Sequence, residues 1–383
     1  MIPIIQKKFY GSFNQINRKT PMQKVFNFNA GPAMLPEAVL LKAQEDMLNW
    51  RHTGMSMMEI GHRTDVFQQL VQQIEQNLRE LMGVPTHYHV LFLAGGATLQ
   101  FSMVPINLFT SQKKADYMET GLWSSKAIKE ASKFGNVNIV AQAKKEDDLW
   151  TIPAPTEWQL SHDADYFHYT PNETITGLAF NHVPILKNIP LVADMTSMIL
   201  SEPVNVNDFG LIYASAQKNL GQAGITLVII REDLVKLPLS ITPTLLEYAT
   251  HVTAQSLYNT PPTYSWYILG LVLDWMKEMG GVTAIHSKNC RNAERLYDAL
   301  DRSQGFYRSS IHPAYRSKMN VSFDLPNDDL LKLFLHESHA SGLCCLKGHR
   351  AAGGVRASIY NAMPEEGVEK LVLFMDYFMQ RFG

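Results

Sequence analysis

Lys218 has the sequence surroundings of a reactive amine. It lies in YASAQKNLGQAG, residues 213–224, between the apolar, β-branched runs Leu211–Ala214 and Ile225–Ile230. Those runs read as core strands. A lysine fixed between two such strands can be desolvated or set beside other cations. Its pKa then falls, and the neutral amine can form a Schiff base with a carbonyl. A lone loop lysine more often faces solvent, so its company decides. Asp194 ends the apolar run Leu191–Asp194. A carboxylate there can pair with a protonated ring nitrogen and support an electron sink, although alone it reads equally well as a turn acid. Gly95-Gly96-Ala97-Thr98 follows a strand signal, His89–Leu93, and precedes a helical pattern. Backbone N–H groups at such a start can hold phosphate, with the Thr98 hydroxyl beside them. The glycines alone read as an ordinary turn, because neither a Walker loop nor a GxGxxG fingerprint is present. Trp123 can stack on a planar ring or simply pack in a core. Thr174, just past a strand, can reach a ligand oxygen or cap a turn.

The anion-binding candidates form two clusters. His62 and Arg63 precede a helix, while His349, Arg350 and Arg356 flank the glycine-rich turn in GHRAAGGVR. Guanidinium forks bind carboxylate and phosphate bidentately, so two clusters suit a small substrate with two anionic ends. Surface ion pairing is the plain alternative. His87 and His89 lack further ligands at metal spacing, and HExxH and GxSxG are absent.

The elements that must place these residues alternate. Asp65–Met82 carries apolar residues at steps of three and four and stops at Gly83. Strand signals at 89–93, 115–119, 138–141, 166–169, 191–194, 211–214 and 225–230 are separated by helical patterns, including Gln100–Leu108 and Gly121–Phe134. This alternation predicts a mainly parallel sheet covered on both faces, with ligands just beyond the strand ends. After Thr260 the pattern changes. Helices over Tyr267–Met279 and Val282–Leu300, a strand at Met319–Phe323, a helix at Asp328–Ser341, a strand at Val355–Ile359 and a helix at Glu365–Phe382 predict a smaller α+β domain. The expected division is an N-terminal extension (1–21), a large domain (22–275) and a small domain (276–383).

The 383 residues suffice for such a pair. Lys plus Arg number 34 against 36 Asp plus Glu, a net charge of -2, so there is no basic excess for a nucleic-acid backbone. Cys290, Cys344 and Cys345 lack CxxC spacing, and adjacent cysteines pair poorly, which points to a reducing compartment. No apolar run reaches about 18 residues, the length of a spanning helix. The apolar patch in residues 1–21 is short and lies ahead of its charges, unlike a signal peptide. That stretch is expected to be disordered or to precede a start at Met22.

Taken together, these motifs resemble the phosphoserine aminotransferase family, fold-type-I pyridoxal-phosphate enzymes among the class V aminotransferases. The matching stretches are FNAGPAMLP (28–36), MEIGHR (58–63), FHYTPNETITG (167–177), YASAQKNLGQAGITLVI (213–229), YNTPPT (258–263) and KGHRAAGGVRASIYNAMP (347–364). The likeness runs from about Val25 to the last residue. It implies one pyridoxal 5'-phosphate per subunit, held as an aldimine on Lys218, with Asp194 on the ring nitrogen and Trp123 stacked on the ring. Ala97, Thr98, Thr174 and Gln217 would line the cofactor. Asn259 and Thr260 would reach the cofactor phosphate of the other subunit of a homodimer. Arg356 would take the substrate α-carboxylate. His62 and Arg63 from the partner, with His349 and Arg350, would surround the side-chain carboxylate or phosphate. Two positions depart from some members. Ala97-Thr98 stands where a glycine–arginine pair occurs, which removes an ion pair to phosphate. Ala30 replaces a serine and with it one contact to the substrate carboxylate. The implied reaction passes the amino group of L-glutamate to 3-phosphohydroxypyruvate in the cytoplasm. It belongs to serine biosynthesis and, through 4-phosphohydroxy-L-threonine, to pyridoxine biosynthesis. The rivals are another class V enzyme, such as an alanine–glyoxylate aminotransferase, and a non-catalytic phosphate-ligand-binding protein.

Overall fold

A computed structural model describes residues 25–236 and 241–383; the expected N-terminal extension, 1–21, lies outside them. Strand β1 (Phe26–Asn27) leads to helices α1 (Glu37–Glu45) and α2 (Asp65–Met82). Then come β2 (Tyr88–Leu93), α3 (Gly96–Leu108), β3 (Lys114–Glu119), α4 (Leu122–Ala131) and β4 (Asn136–Gln142). A small hairpin, β5 (Lys144–Glu146) and β6 (Leu149–Thr151), precedes β7 (Phe167–Tyr169), β8 (Leu191–Asp194), β9 (Leu211–Ser215) and β10 (Thr226–Arg231). Helices α5 (Tyr248–Thr253), α6 (Thr263–Glu278) and α7 (Gly281–Asp301) follow. The chain closes with β11 (Asn320–Phe323), α8 (Asp328–Ala340), β12 (Leu343–Cys344), β13 (Val355–Ser358) and α9 (Glu365–Phe382).

Seven strands form one sheet in the order β2-β10-β9-β8-β7-β3-β4. The pairs from β9 through β8, β7 and β3 to β4 are parallel, whereas β10 runs antiparallel to both neighbours. The expected mainly parallel α/β sheet is therefore borne out. Every residue of β8 and β9 is buried. Both sheet faces are covered, which explains why these strands read as continuous apolar runs without alternation. Helix α2 packs Phe67, Leu70, Ile74 and Leu78 into the main core and ends at Gly83 in the left-handed region, φ 63°. Helix α3 starts four residues before the expected Gln100. Gly95 and Gly96 take φ of 93° and 67°, turning the chain from β2 straight into the helix. Helix α6 likewise begins at Thr263, directly after Pro262, and not at Tyr267.

The second core gathers Phe26, Phe28, Leu296, Phe334, Leu371 and Phe378. Strand β1 pairs in parallel with β12, Phe26 opposite Leu343, and β11 pairs antiparallel with β13. Helix α7 enters both cores, with Val282 and Ile285 in the first and Leu296 and Ala299 in the second. We propose accordingly that the small unit combines residues 26–28 with the chain from mid-α7 onward. Buried asparagines stitch the seam. Asn172 Nδ2 donates to Asn320 Oδ1 at 2.9 Å, and the Asn361 N–H donates to Asn219 Oδ1 at 3.0 Å. Asn289 Nδ2 donates to Asn361 Oδ1 at 2.9 Å.

One turn at this seam admits only glycine. Gly177 has φ +79°, and a Cβ there would lie 2.4 Å from the Asn320 carbonyl oxygen. Gly177→Ala is expected to remove about 1–3 kcal/mol of unfolding free energy, measured by urea denaturation of the cofactor-free chain. A change below about 0.5 kcal/mol, the range of neutral surface substitutions, would refute the contact argument.

Candidate active site

The C-terminal ends of the parallel strands, where ligands of such sheets bind, converge on a cavity of about 130 Å³. It is lined by the start of α3 (Gly96, Ala97, Thr98), by Trp123 of α4, and by Thr170, Asn172 and Thr174 beyond β7. Asp194, Thr196 and Ser197 come from the end of β8, and Ser215, Gln217 and Lys218 from the end of β9. A roomier cavity of about 840 Å³ sits at the opposite strand ends, near Asp165, Asp208 and Arg231. Arg231 there is already paired with Asp233 at 2.5 Å, so volume does not mark the chemistry.

Lys218 is 7% exposed, and its Nζ donates to Thr174 Oγ1 at 2.6 Å. Burial pulls its pKa down; Asp194 opposes this, Arg356 adds to it, and the result is about 8 against an ordinary 10.5. Near pH 7 that change raises the neutral fraction by roughly 300-fold. Asp194 is buried, and its Oδ1 accepts the Thr196 N–H at 3.0 Å. Burial raises its pKa, while the Thr196 bonds and the Lys218 charge pull the other way. The Lys218 Nζ lies 5.9 Å from the centre of the Trp123 ring.

The start of α3 has no side-chain cap. Its first N–H groups are therefore open to an anion, which the helix dipole favours. Ser215 Oγ donates to Gln217 Oε1 at 2.5 Å. The turn after β1 is tied to the same loop, the Ala33 N–H donating to the Gln217 carbonyl at 2.9 Å. The Ala30 carbonyl in that turn accepts from the Tyr360 hydroxyl at 3.0 Å.

Arg356, on β13, is 8% exposed, its Nε has no hydrogen-bond partner, and no ion pair to it occurs among the described residues. A buried guanidinium without an acid is costly, and its pKa is lowered by burial. His349 is held below its ordinary pKa by burial, then by Arg356, Arg350 and Lys126. This cationic cluster sits on a turn closed by Gly353 N–H to the His349 carbonyl at 2.8 Å.

The structure thus brings together Ala97, Thr98, Trp123, Thr174, Asp194, Gln217 and Lys218, with Arg356 acting on Lys218 electrostatically. It does not bring His62, Arg63, Asn259 or Thr260 into the lining of that cavity. Arg63, Asn259 and Thr260 are exposed. Thr170, Asn172, Thr196, Ser197 and Ser215 line the cavity without having been singled out from the sequence. Their only signal is nearness to Thr174, Asp194 and Lys218. Among the described residues no group of three or more His, Cys, Asp or Glu is placed to hold a metal ion.

This fold and pocket define a class V aminotransferase, and the family model for aminotransferase class-V matches residues 25–371. Within that class the chain belongs to the phosphoserine aminotransferase family. It is 52% identical to a phosphoserine aminotransferase of Nitrosomonas europaea over 365 residues, covering 93% of this chain and 99% of the relative. It also superposes on the phosphoserine aminotransferase of Bacillus circulans subsp. alkalophilus with a TM-score of 0.91 and 46% identity, covering 94% and 99% of the two chains. The PLP-bound phosphoserine aminotransferase of Trichomonas vaginalis gives a TM-score of 0.88 at 38% identity, covering 92% of this chain and all of that one.

The cofactor is pyridoxal phosphate, and the residues present fit it. A desolvated amine, a buried acid across the pocket, an aromatic wall and an uncapped helix start are complementary to an aldehyde, a ring nitrogen, a ring face and a phosphate. An amine reacts only unprotonated, so its rate rises with pH until the pKa is passed. Capture of added pyridoxal phosphate by the cofactor-free chain should therefore climb about tenfold per pH unit below 8 and level off above it. A stopped-flow absorbance profile still climbing towards pH 10.5 would show that Lys218 is not desolvated.

Proposed function

We propose that the chain transfers the amino group of L-glutamate to 3-phosphohydroxypyruvate, giving O-phospho-L-serine and 2-oxoglutarate, reversibly. The observation that carries this reading is the buried, acid-free Arg356 acting on a desolvated Lys218 whose pKa is pulled down to about 8. Such a pair suits a substrate whose carboxylate must be held while its Cα–H is broken.

Bound pyridoxal phosphate supplies the electron sink that makes that C–H acidic. The chain supplies the rest. Asp194 keeps a positive charge on the ring nitrogen, and Trp123 covers one ring face. Ala97, Thr98, Thr174 and Gln217 hold the cofactor. Lys218 Nζ takes the α-proton and returns it, with Thr174 Oγ1 orienting the amine. Arg356 fixes the α-carboxylate, and with it the direction of the Cα–H bond. His349 and Arg350 receive the distal carboxylate of glutamate or the phosphate of the oxoacid. With Ala30 in the turn after β1, the carboxylate contact there is made by backbone groups or not at all. With Thr98 at the start of α3, the cofactor phosphate is held by N–H groups and hydroxyls without an arginine.

We further propose a homodimer whose partner contributes His62 and Arg63 to substrate and Asn259 and Thr260 to the cofactor phosphate. Exposed apolar residues support it, among them Leu48 at 83%, Met58 at 56% and Tyr258 at 51%. The proposed setting is the cytoplasm, in serine and pyridoxine biosynthesis. In support, the three cysteines are free, and no described helix is long and apolar enough to cross a membrane. An alanine–glyoxylate enzyme or a non-catalytic binder is not favoured, given the family and the placement of Lys218.

Lys218→Ala is expected to lower transamination at least about 10³-fold while the chain still folds. Activity within tenfold of wild type would end the proposal. Arg350→Ala should raise KM for 3-phosphohydroxypyruvate about tenfold, the worth of one charge-assisted bond, and leave pyridoxal phosphate affinity unchanged. Equal losses in both would mean a structural role. Faster turnover of unphosphorylated 2-oxoacids would correct the substrate. A purely monomeric active species in sedimentation would exclude the shared site.

A further inference from the structure

Glu173 is 0% exposed, yet none of the chemistry above uses it. Its backbone is pinned in the turn closed by Gly177: its N–H donates to the Leu178 carbonyl and its carbonyl accepts the Gly177 N–H, both at 2.9 Å. From that turn Thr174 meets Lys218, while Glu173 enters the start of α4. Its Oε2 accepts the Trp123 N–H at 3.1 Å. Its Oε1 accepts the Ser124 N–H at 2.9 Å and the Ser124 hydroxyl at 2.7 Å. Ser124 Oγ in turn accepts the N–H groups of Thr120 and Gly121, both at 2.9 Å.

This carboxylate thus stands in for a missing local cap. The residue ahead of α4 is Gly121, which has no side chain to offer. A Cβ there would lie 2.6 Å from Glu173 Cδ. Negative charge at a helix start is favoured by the unpaired N–H groups and the helix dipole. Trp123 and Ser124 share this cap. The Trp123 indole Nε1 is buried without a partner, so no hydrogen bond of the side chain places the ring, and the backbone N–H bond to Glu173 ties the residue to the turn.

We propose that Glu173 is a positioning residue for Trp123, its carboxylate setting the first turn of α4 and so the aromatic wall against the cofactor ring. The inference rests on the proposed stacking role of Trp123, and the experiment separates the two. Release of pyridoxal phosphate from the holoenzyme after dilution is followed by visible circular dichroism in wild type, Glu173→Gln, Trp123→Ala and the double variant. Glu173→Gln should speed release about tenfold, because an amide presents one acceptor where two are needed. Trp123→Ala should speed it at least as much, and in that background Glu173→Gln should add less than about twofold. The pH midpoint for cofactor capture should stay near that of wild type or move slightly down, because the Glu173 charge is the smallest of the influences on Lys218 and raises its pKa. Equal acceleration with and without the indole, or a midpoint displaced upward, would overturn the proposal. Unchanged release in Trp123→Ala alone would instead overturn the stacking role. If Glu173→Gln does not fold, Ser124→Ala takes its place, with a smaller acceleration that again must vanish without the indole. Acceleration that persists there, or none at all, counts against the proposal.

Discussion

An amine and a carboxylate kept dry at one sheet edge set the terms for everything else here. Asp194 ends β8 and Lys218 lies three residues beyond the neighbouring β9, and the residues of both strands are entirely buried. Desolvation does two things at once. It raises the neutral share of the lysine near pH 7 from a trace to roughly a tenth, and it raises the cost of a lone carboxylate until a cationic partner arrives. Water at this edge would undo both effects. The parallel sheet with helices on its faces is thus part of the chemistry, since it is the arrangement that buries strand ends while leaving their loops free to converge.

The connection after β7 shows how closely fold and site are coupled. Within it, Asn172 reaches across to Asn320 in the small unit, Glu173 caps α4, and Thr174 meets Lys218. Three consecutive side chains tie the small unit, the aromatic wall and the amine to one stretch of backbone. The turn closes only because Gly177 passes against the Asn320 carbonyl.

Much of this was legible in the sequence, for physical reasons that differ by residue. Helix α2 shows at its observed bounds, Asp65–Met82, because eighteen residues of strict periodicity outweigh any single uncertain position. The strands β8 to β10 show because double-sided burial demands unbroken apolar runs. From the sequence, helices α3 and α6 read as starting late, since glycine and proline punctuate as breakers although here they launch the helix. The two-residue strands β1 and β12 were not readable as a pair. Their pairing is tertiary, and nothing local requires Phe26 to lie against Leu343. Lys218, Asp194 and Thr174 stand out by motif. Glu173, Thr196 and Ser215 are ordinary residue types, and what they do follows from strands brought together across the sheet.

In the proposed reading, specificity rests on Arg356. A folded chain that buries a guanidinium without an acid sacrifices stability, and an anionic ligand restores it. The site is in that sense unfinished until substrate arrives. Around it, burial first and then Arg356, Arg350 and Lys126 hold His349 below its ordinary pKa, which limits the positive charge gathered beside Arg356. A planar fork donates to a carboxylate and to a phosphate oxygen pair with nearly the same geometry. That property lets one pocket serve two substrates of different size in alternation. Lysines, as point charges on flexible stems, would bind both anions but would orient neither, and transamination depends on orientation, because the bond to be broken must stand across the ring plane.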